Sequence, residues 1–401
     1  METIIFIGCN NTGSSMEALM IAKEMDYFIV LFTNRIIPCL PNVDKLIHMK
    51  NIFNEEMVLY EVNLLKEQGK QIRACLSFID PFVSYAAKLS NKLGLMKLSV
   101  ESLYLMENKI RVRNTLLNHP TSLLYTTIDG NSTLEELLKK YHLSLPFILK
   151  SPTSNGSRDV ILVNNPESYI KGIRLLQNKH AAPILLEEYI TGPQYLIELI
   201  IFNKQPCIVA VIEQEVVYNG AFIVVGYNYP AELTKNEYES LTESIEGIVN
   251  LLGVTNSSCH LEMKKIQGSW KLIEINPRMS GGHMNQIIEE GTGINLIKEI
   301  IKMNIGEQPS LIPSRTEYVY AHYLTVKSNG TLLKVIGKDD AFKHDGVKLI
   351  DIKAKEGDLV TVPYSMGNRY GCVIAVGESR QVAKTNALNA LSEIKFYLEA
   401  L

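Results

Sequence analysis

The chain has 401 residues, enough for two or three domains with buried cores, and its 46% apolar and 21% charged residues are those of an ordinary globular protein. A formal net charge of -3 argues against nucleic acid or an anionic membrane as a partner. The six cysteines (Cys9, Cys39, Cys75, Cys207, Cys259, Cys372) form no C-x-x-C pair, and the first residues run into a strand without a basic leader or a long apolar run. Reduced thiols in a cytoplasmic protein are therefore expected, and a disulfide frame, a zinc site, secretion or membrane spanning are not.

In chain order, IIFIG reads as a buried strand, the segment after it as a turn and a helix with Met16, Leu19, Met20 and Ala22 as its apolar residues, and YFIVLFTN as a second strand, together a βαβ unit. Gly8 and Gly13 raise the question of a phosphate loop, but no Gly-Lys-Ser/Thr follows and the G-x-G-x-x-G spacing is absent, so the turn is expected to line a substrate pocket. Asn54 caps a helix whose Val58, Val62 and Leu65 share a face and which stops at Gly69. IRACLSF is a strand, FVSYAAKLSNKLG a helix ended by Gly94, and residues 1–100 form a small Rossmann-like α/β layer. Lys109 and Arg113 then share a helical face, with Leu116 and Leu117 on the packing side. Taken alone, such a pair is two solvated cations. Ser132-x-x-Glu135 reads as a capping box for a helix bearing Leu134, Leu137, Leu138 and Tyr141.

In PFILKSPTSNGSRDVILV an apolar strand ends at Lys150 and a loop of small residues returns through Ser157. Small side chains let backbone N–H groups close around phosphate oxygens, and a strand-end lysine neutralises their charge; an ordinary hairpin is the alternative. Farther on, Glu187-Glu188-Tyr189-Ile190 fits a hinge whose backbone reads an adenine edge under apolar cover. PCIVAVIEQEVV and FIVVGYNYPA extend an antiparallel sheet, and the loop between them, with Glu213, Glu215 and Tyr218, is a candidate substrate wall. Thr234 to Leu252 is a helix with a Thr234/Glu237 capping box.

The stretch from Cys259 to His283 carries the densest chemistry. Two short strands follow one another, with Gly268 and Ser269 as turn residues, and alternation in LIEIN puts Glu274 and Asn276 on one face, beside Glu262. Two carboxylates and a carboxamide are hard oxygen ligands suited to Mg2+, and Arg278 just beyond is a permanent, planar cation for a carboxylate or phosphoryl oxygen. His260 reads equally as a base or as a packed side chain orienting Glu262, and His283, after the Gly281-Gly282 pair, as a group that meets substrate. The remainder, from about 315, gives short strands and a last helix from Arg380 to Leu398.

Five pieces thus stand in order: Lys109-x-x-x-Arg113, Lys150 with its loop, Glu187 to Ile190, His260-x-Glu262, and Glu274-x-Asn276-Pro277-Arg278. This order resembles the ATP-grasp superfamily of carboxylate-amine ligases, and within it the L-amino-acid ligase (dipeptide synthetase) branch. The resemblance implies an α/β and α+β chain: a Rossmann-like domain at 1–100, a small ATP-grasp subdomain and mobile lid at 101–188, and a large subdomain at 189–401 that includes the antiparallel C-terminal sheet. It implies that Lys109, Lys150 and the loop to Ser157 hold ATP phosphates, that Glu187, Tyr189 and Ile190 surround the adenine, and that Gln194 holds the ribose. Mg2+, with Mn2+ as a substitute, would sit on Glu262, Glu274 and Asn276. Arg278 would be the catalytic cation, and Ser280, Gly281, Gly282, His283 and Tyr218 the substrate contacts. Three departures stand out: Asn108 for an acidic residue, Asp159 for the glycine that ends the loop, and Gln194 for a glutamate.

The implied reaction is ADP-forming: a small-molecule carboxylate becomes an acyl phosphate and an amine displaces phosphate. Homodimers are a form that many relatives take. The rivals are a formate-using purine-type ligase, a specialised-metabolite ligase, and a nucleotide binder without chemistry.

Overall fold

The computed structural model describes all residues except 37–39, 142–143, 180–182 and 401; Cys39 lies outside the described residues, and the other five cysteines are free thiols. The chain begins as a parallel sheet of β1 (Glu2–Ile7), β2 (Phe28–Thr33), β3 (Lys45–His48) and β4 (Gln71–Leu76), in the order β3-β2-β1-β4. Strand β3 is absent from the sequence reading, because its alternation of half-buried and exposed residues spans only four positions. Helix Glu55–Glu67 has the Asn54 cap and buries Val58, Val62 and Leu65 as its spacing requires. Met20, by contrast, faces outward.

A second, antiparallel sheet has the order β5-β8-β6-β7, from β5 (Tyr125–Ile128), β6 (Phe147–Lys150), β7 (Val160–Val163) and β8 (Ile184–Glu188). The capping box beside it is Thr133/Glu136, one residue later than Ser132/Glu135: the Glu136 carboxylate takes the Thr133 N–H at 2.8 Å, while the Ser132 carbonyl accepts the Tyr169 hydroxyl at 2.6 Å. In the segment before it Leu116 is buried and Leu117 exposed, because the helix ends at Thr115.

The large sheet begins with β9 (Gln194–Phe202), β10 (Gln205–Tyr218), β11 (Phe222–Tyr229), β12 (Ser257–Ile266) and β13 (Ser269–Asn276). The C-terminal part adds β14 (Tyr318–Leu324), β15 (Gly330–Ile336), β16 (Val347–Ile352), β17 (Leu359–Val360), β18 (Gly371–Gly377) and β19 (Lys395–Ala400). Eight strands run β13-β12-β9-β10-β11-β14-β18-β16, and β17-β15-β19 form a small separate sheet. The last helix therefore ends at Glu393 instead of Leu398; alternating Phe396 and Leu398 pair with Val335 and Leu332 of β15.

Helices Met284–Thr292 and Leu296–Asn304 sit between the parallel sheet and the large one, in a core shared by Phe6, Leu31, Leu196, Met284 and Ile288. That packing brings the C-terminal ends of the parallel strands to the same cleft as β12 and β13. No described helix is long and apolar enough to cross a membrane.

Candidate active site

Strands β12 and β13 are joined by Gln267-Gly268, both left-handed (φ 47° and 84°), and Ser269 already belongs to β13. The turn opposes Ile266 to Ser269 and Met263 to Leu272, and a one-residue irregularity between Glu262 and Met263 then shifts the pairing so that Glu262 lies directly opposite Glu274 and His260 opposite Asn276. Asn276 Nδ2 donates to Glu274 Oε1 at 3.1 Å and to His260 Nε2 at 3.2 Å, and His260 Nδ1 donates to the Arg278 carbonyl at 2.8 Å. Burial, helped by the Arg278 charge, lowers His260 to about 4, so it is a neutral ring with both nitrogens engaged. It orients Asn276, not Glu262.

Lys109 Nζ lies 3.3 Å from Glu274 Oε1. Burial would raise Glu274, but Lys109 and Lys150 outweigh it and hold the carboxyl below its ordinary value. Glu262, buried beside that charge, is raised to about 7. Near neutral pH the pair resists carrying two full charges, and a cation between the two carboxylates would favour that state. Among the described residues no three His, Cys, Asp or Glu side chains gather as a metal site. Two carboxylates and a carboxamide nevertheless fit Mg2+, which takes its remaining positions from water and phosphate.

Lys150 and Arg113 are not solvated. Glu187 receives Lys150 Nζ at 2.6 Å and Arg113 Nε at 2.7 Å, with all three side chains at most 4% exposed, and Arg113 Nη2 continues to the Ile273 carbonyl at 2.8 Å. Burial lowers the Lys150 ammonium while Glu187 opposes it; Glu187 itself stays low because burial is outweighed by Arg113, which does not give up its proton. The Glu187 carboxylate is thus spent on this triad, and only its backbone is left for an adenine edge. Beyond it Tyr189 and Ile190 line the cavity, with Lys264 Nζ donating to the Ile190 carbonyl at 3.0 Å.

The loop from Ser151 to Ser157 is drawn down at both ends. Lys109 donates through its N–H to the Pro152 carbonyl at 2.9 Å and through Nζ to that of Ser154, while Met366 N–H donates to the Gly156 carbonyl at 3.1 Å. Ser157 takes a left-handed φ of 58°. Asp159 anchors the base of the loop, its carboxylate 2.9 Å from Lys179 and its carbonyl accepting the Ser151 N–H. Gln194 Nε2 donates to Gln214 Oε1 at 2.9 Å and Glu262 Oε2 at 3.2 Å, so the amide at this position rests against the carboxylate pair.

On the opposite wall Arg278 grips Asp80 Oδ2 with Nε (2.9 Å) and Nη2 (2.6 Å). Asp80 escaped the sequence reading; its signal was an Asp-Pro just past the C-terminal end of a parallel strand, where such sheets bind ligands. Asn10, Gly13 and Ser14 line the same cavity, as expected of the first turn. So do Ser280, Gly281 and Gly282. A Cβ on Gly282 (φ 80°) would sit 2.6 Å from the Tyr323 hydroxyl.

Two expected substrate contacts do not face this space. The His283 ring stacks on Tyr323 and its Nε2 lies 3.0 Å from Asp351, because β16 brings that carboxylate alongside. Tyr218 is half exposed and packs on Phe222 outside the cavity lining. Glu213 and Glu215 belong to β10, not to a loop, and hold Arg380 and Lys384 of the last helix. The cavity measures about 570 Å³, within the range of small-molecule sites, and also reaches Lys353, Met366 and Arg369 of the C-terminal part, which carried no motif.

Behind Ser280, the fully buried Glu198 accepts its N–H at 2.8 Å through Oε1, while Oε2 has no hydrogen-bond partner among the described residues. Burial raises this carboxyl from 4.5 to about 8. A raised value in the folded chain means stability that is full at low pH and is lost as pH climbs through that window. Glu198→Gln is expected to flatten this loss, read as a shallower fall of the melting temperature between pH 4.5 and 8. Parallel curves for variant and wild type would refute it.

Comparison with known proteins adds family evidence to this geometry. Residues 143–286 match the ATP-grasp domain, and residues 322–399 match the L-amino acid ligase C-terminal domain 2. The chain is 27% identical over 257 residues to the uncharacterized protein y4rH of Sinorhizobium fredii, covering 63% of this chain and 53% of that protein. It is 22% identical over 284 residues to carnosine synthase 1 of Homo sapiens, covering 65% and 34%. The matched stretches thus span about half of the first relative and a third of the second. The crystal structure of an L-amino acid ligase from Bacillus licheniformis superposes with a TM-score of 0.83 at 18% identity, over 100% of this chain and 99% of that one, and shows the same fold.

Proposed function

In a chain that carries an ATP-grasp domain and an L-amino acid ligase C-terminal domain, we propose an ADP-forming ligase that joins a small-molecule carboxylate, amino-acid-like in class, to an amine. The observation that carries this reading is the in-register pair Glu262 and Glu274, with Lys109 against it and Lys150 in the same cavity. ATP would lie with its adenine between Tyr189 and Ile190 and its phosphates under Lys109, Lys150 and the Ser151 to Ser157 loop. The same reading divides the chain near residues 100 and 188, between its three main sheets.

Mg2+, held by Glu262, Glu274 and Asn276, would offset phosphate charge and make the terminal phosphorus easier to attack. The protein's own residues do the positioning. Glu187 fixes Lys150 in one rotamer, so that its ammonium is placed before the nucleotide arrives. Arg278, released in part from Asp80, would hold the substrate carboxylate as its oxygen attacks the γ-phosphorus and the bond to ADP breaks. Attack of the amine on the acyl phosphate then builds negative charge on the former carbonyl oxygen, which Arg278 and the Gly281-Gly282 backbone would meet. The Ser280 N–H does not join them, since Glu198 takes it.

Incubation with ATP, Mg2+ and a panel of acid and amine pairs is expected to give ADP only when both partners are present. ADP release independent of any amine, or none with any pair, would replace the ligase reading by hydrolysis or by nucleotide binding without chemistry.

A further inference from the structure

The turn after β1 enters a helix, Ser14–Glu24, whose first residues line the cavity. Strands β1 and β4 are neighbours in the parallel sheet, so this turn stands beside the one that carries Asp80 against Arg278. The helix start is left bare. Gly13 (φ 82°) has no side chain to cap it, and its carbonyl accepts the N–H groups of Met16 and Glu17 at 3.0 and 3.1 Å. The N–H groups of Ser14 and Ser15 cannot bond within the helix and meet no acceptor among the described residues. Ser15 Oγ is turned back to the Asn10 N–H at 3.0 Å, and Glu17, the acid of the first turn, accepts Asn285 Nδ2 at 2.7 Å.

Three side-chain observations point to a ligand here. Ser14 is only 7% exposed and borders the cavity, yet its hydroxyl has no hydrogen-bond partner among the described residues. A Cβ built on Gly13 meets no atom within 4 Å, so the space before the helix end is open. Arg35, just past β2, lines the same cavity and forms no ion pair among the described residues; its Nη1 donates to Asn10 Oδ1 at 2.6 Å, which leaves the rest of the fork for an incoming group. Two open N–H groups, a hydroxyl, the positive end of a helix and a permanent cation together suit an anion. In the proposed reaction the triphosphate is served by Lys109 and Lys150, and the carboxylate that is phosphorylated by Arg278. An anion beside Arg278, at the ends of β1 and β2, therefore belongs to the same molecule as that carboxylate.

We propose that the start of helix Ser14–Glu24, with the Ser14 hydroxyl and Arg35, is a subsite for a second anionic group on the acid that is activated, so that this acid is a dicarboxylate or a phosphorylated carboxylic acid. This rests on the ligase reading for its chemistry, though the binding site can be tested without turnover.

The first test is thermal denaturation of the full chain with MgADP and millimolar anions, each beside its uncharged counterpart: aspartate with asparagine, glutamate with glutamine, succinate with succinamate, and O-phosphoserine with serine. At least one anion should raise the wild-type melting temperature more than its counterpart does. That excess should vanish in Arg35→Met, persist in part in Arg35→Lys and shrink in Ser14→Ala, with the MgADP shift kept in all three. Arg35 is exposed and the Ser14 hydroxyl holds nothing in place, so the variants should fold. An excess from the dicarboxylates alone names the second group a carboxylate, and one from O-phosphoserine alone a phosphate. A counterpart as effective as its anion, an Arg35→Met excess equal to that of wild type, or no anion that stabilises wild type would overturn the subsite. Loss of the MgADP shift in Arg35→Met would assign Arg35 to the nucleotide and overturn it too. In turnover, the KM for the acid should rise at least about tenfold in Arg35→Met with the KM for the amine unchanged. A rise confined to the amine would contradict the proposal. Absence of turnover in wild type would end the ligase reading and leave the melting shifts to judge the site.

Discussion

Glu274→Gln is expected to lower ADP formation on the order of a hundredfold to a thousandfold while the chain stays folded. The amide has the same shape and its oxygen can still accept from Asn276 Nδ2, so β13 keeps its local contacts. What it lacks is the charge. Lys109 loses the carboxylate at 3.3 Å, and Glu262, freed of its like-charged neighbour, ionises more readily and becomes the lone anionic ligand. A cation site reduced from two carboxylates to one binds Mg2+ more weakly, so raising Mg2+ should recover part of the rate. Coupled-assay measurement of ADP at two Mg2+ concentrations, with near-ultraviolet circular dichroism as the check on folding, decides it. Wild-type turnover in this variant would remove Glu274 from the chemistry. The matching test at Arg278 is less clean, since Arg278→Ala strands Asp80, whose Oδ1 already lacks a hydrogen-bond partner among the described residues.

The largest loss of stability is expected from Glu187→Ala. Lys150 and Arg113 are 4% and 2% exposed, and both lean on this carboxylate. Replacing a buried ion pair or triad whole with apolar groups is often tolerated, but removing one partner leaves charge without compensation, at about 3–5 kcal/mol. Lys150 can shed its proton; Arg113 cannot, and among the described residues keeps the Ile273 carbonyl as acceptor. The expected result is a lower urea midpoint, together with loss of ATP binding, because Lys150 would no longer be held in place. The exposed pair Asp340–Lys343 is the control, and Asp340→Ala should leave the midpoint unchanged. A Glu187→Ala midpoint equal to wild type would mean that the triad is not a buried charge cluster in solution.

Much of the local structure was legible in the residues. The Asn54 and Thr234 caps, the buried faces of both their helices, and the alternation that puts Glu274 and Asn276 on one side of β13 follow from periods of 3.6 and 2 and from backbone groups that need a partner at helix ends. The ordered motifs also pointed to the ATP-grasp and L-amino acid ligase domains that the family comparisons match. Where short-range rules misled, two local signals competed: Thr133 over Ser132 as a cap, and Phe396 and Leu398 leaving the helix for a strand partner in β15.

By itself, the sequence determined which chemistries were present: two carboxylates in one hairpin, strand-end and helix-start lysines, and an arginine after Asn276-Pro277. Only the tertiary structure decided how the charges were paired. Arg278 finds Asp80 at a separation of 198 residues and Arg113 finds Glu187 at 74, while Arg369, which also lines the cavity, keeps an Nε without a hydrogen-bond partner among the described residues. The physical reason is one of range. Hydrogen-bond and side-chain periodicities act over a turn or a strand, whereas the partner of a buried charge depends on how three sheets stack, and no residue pattern within either segment encodes that.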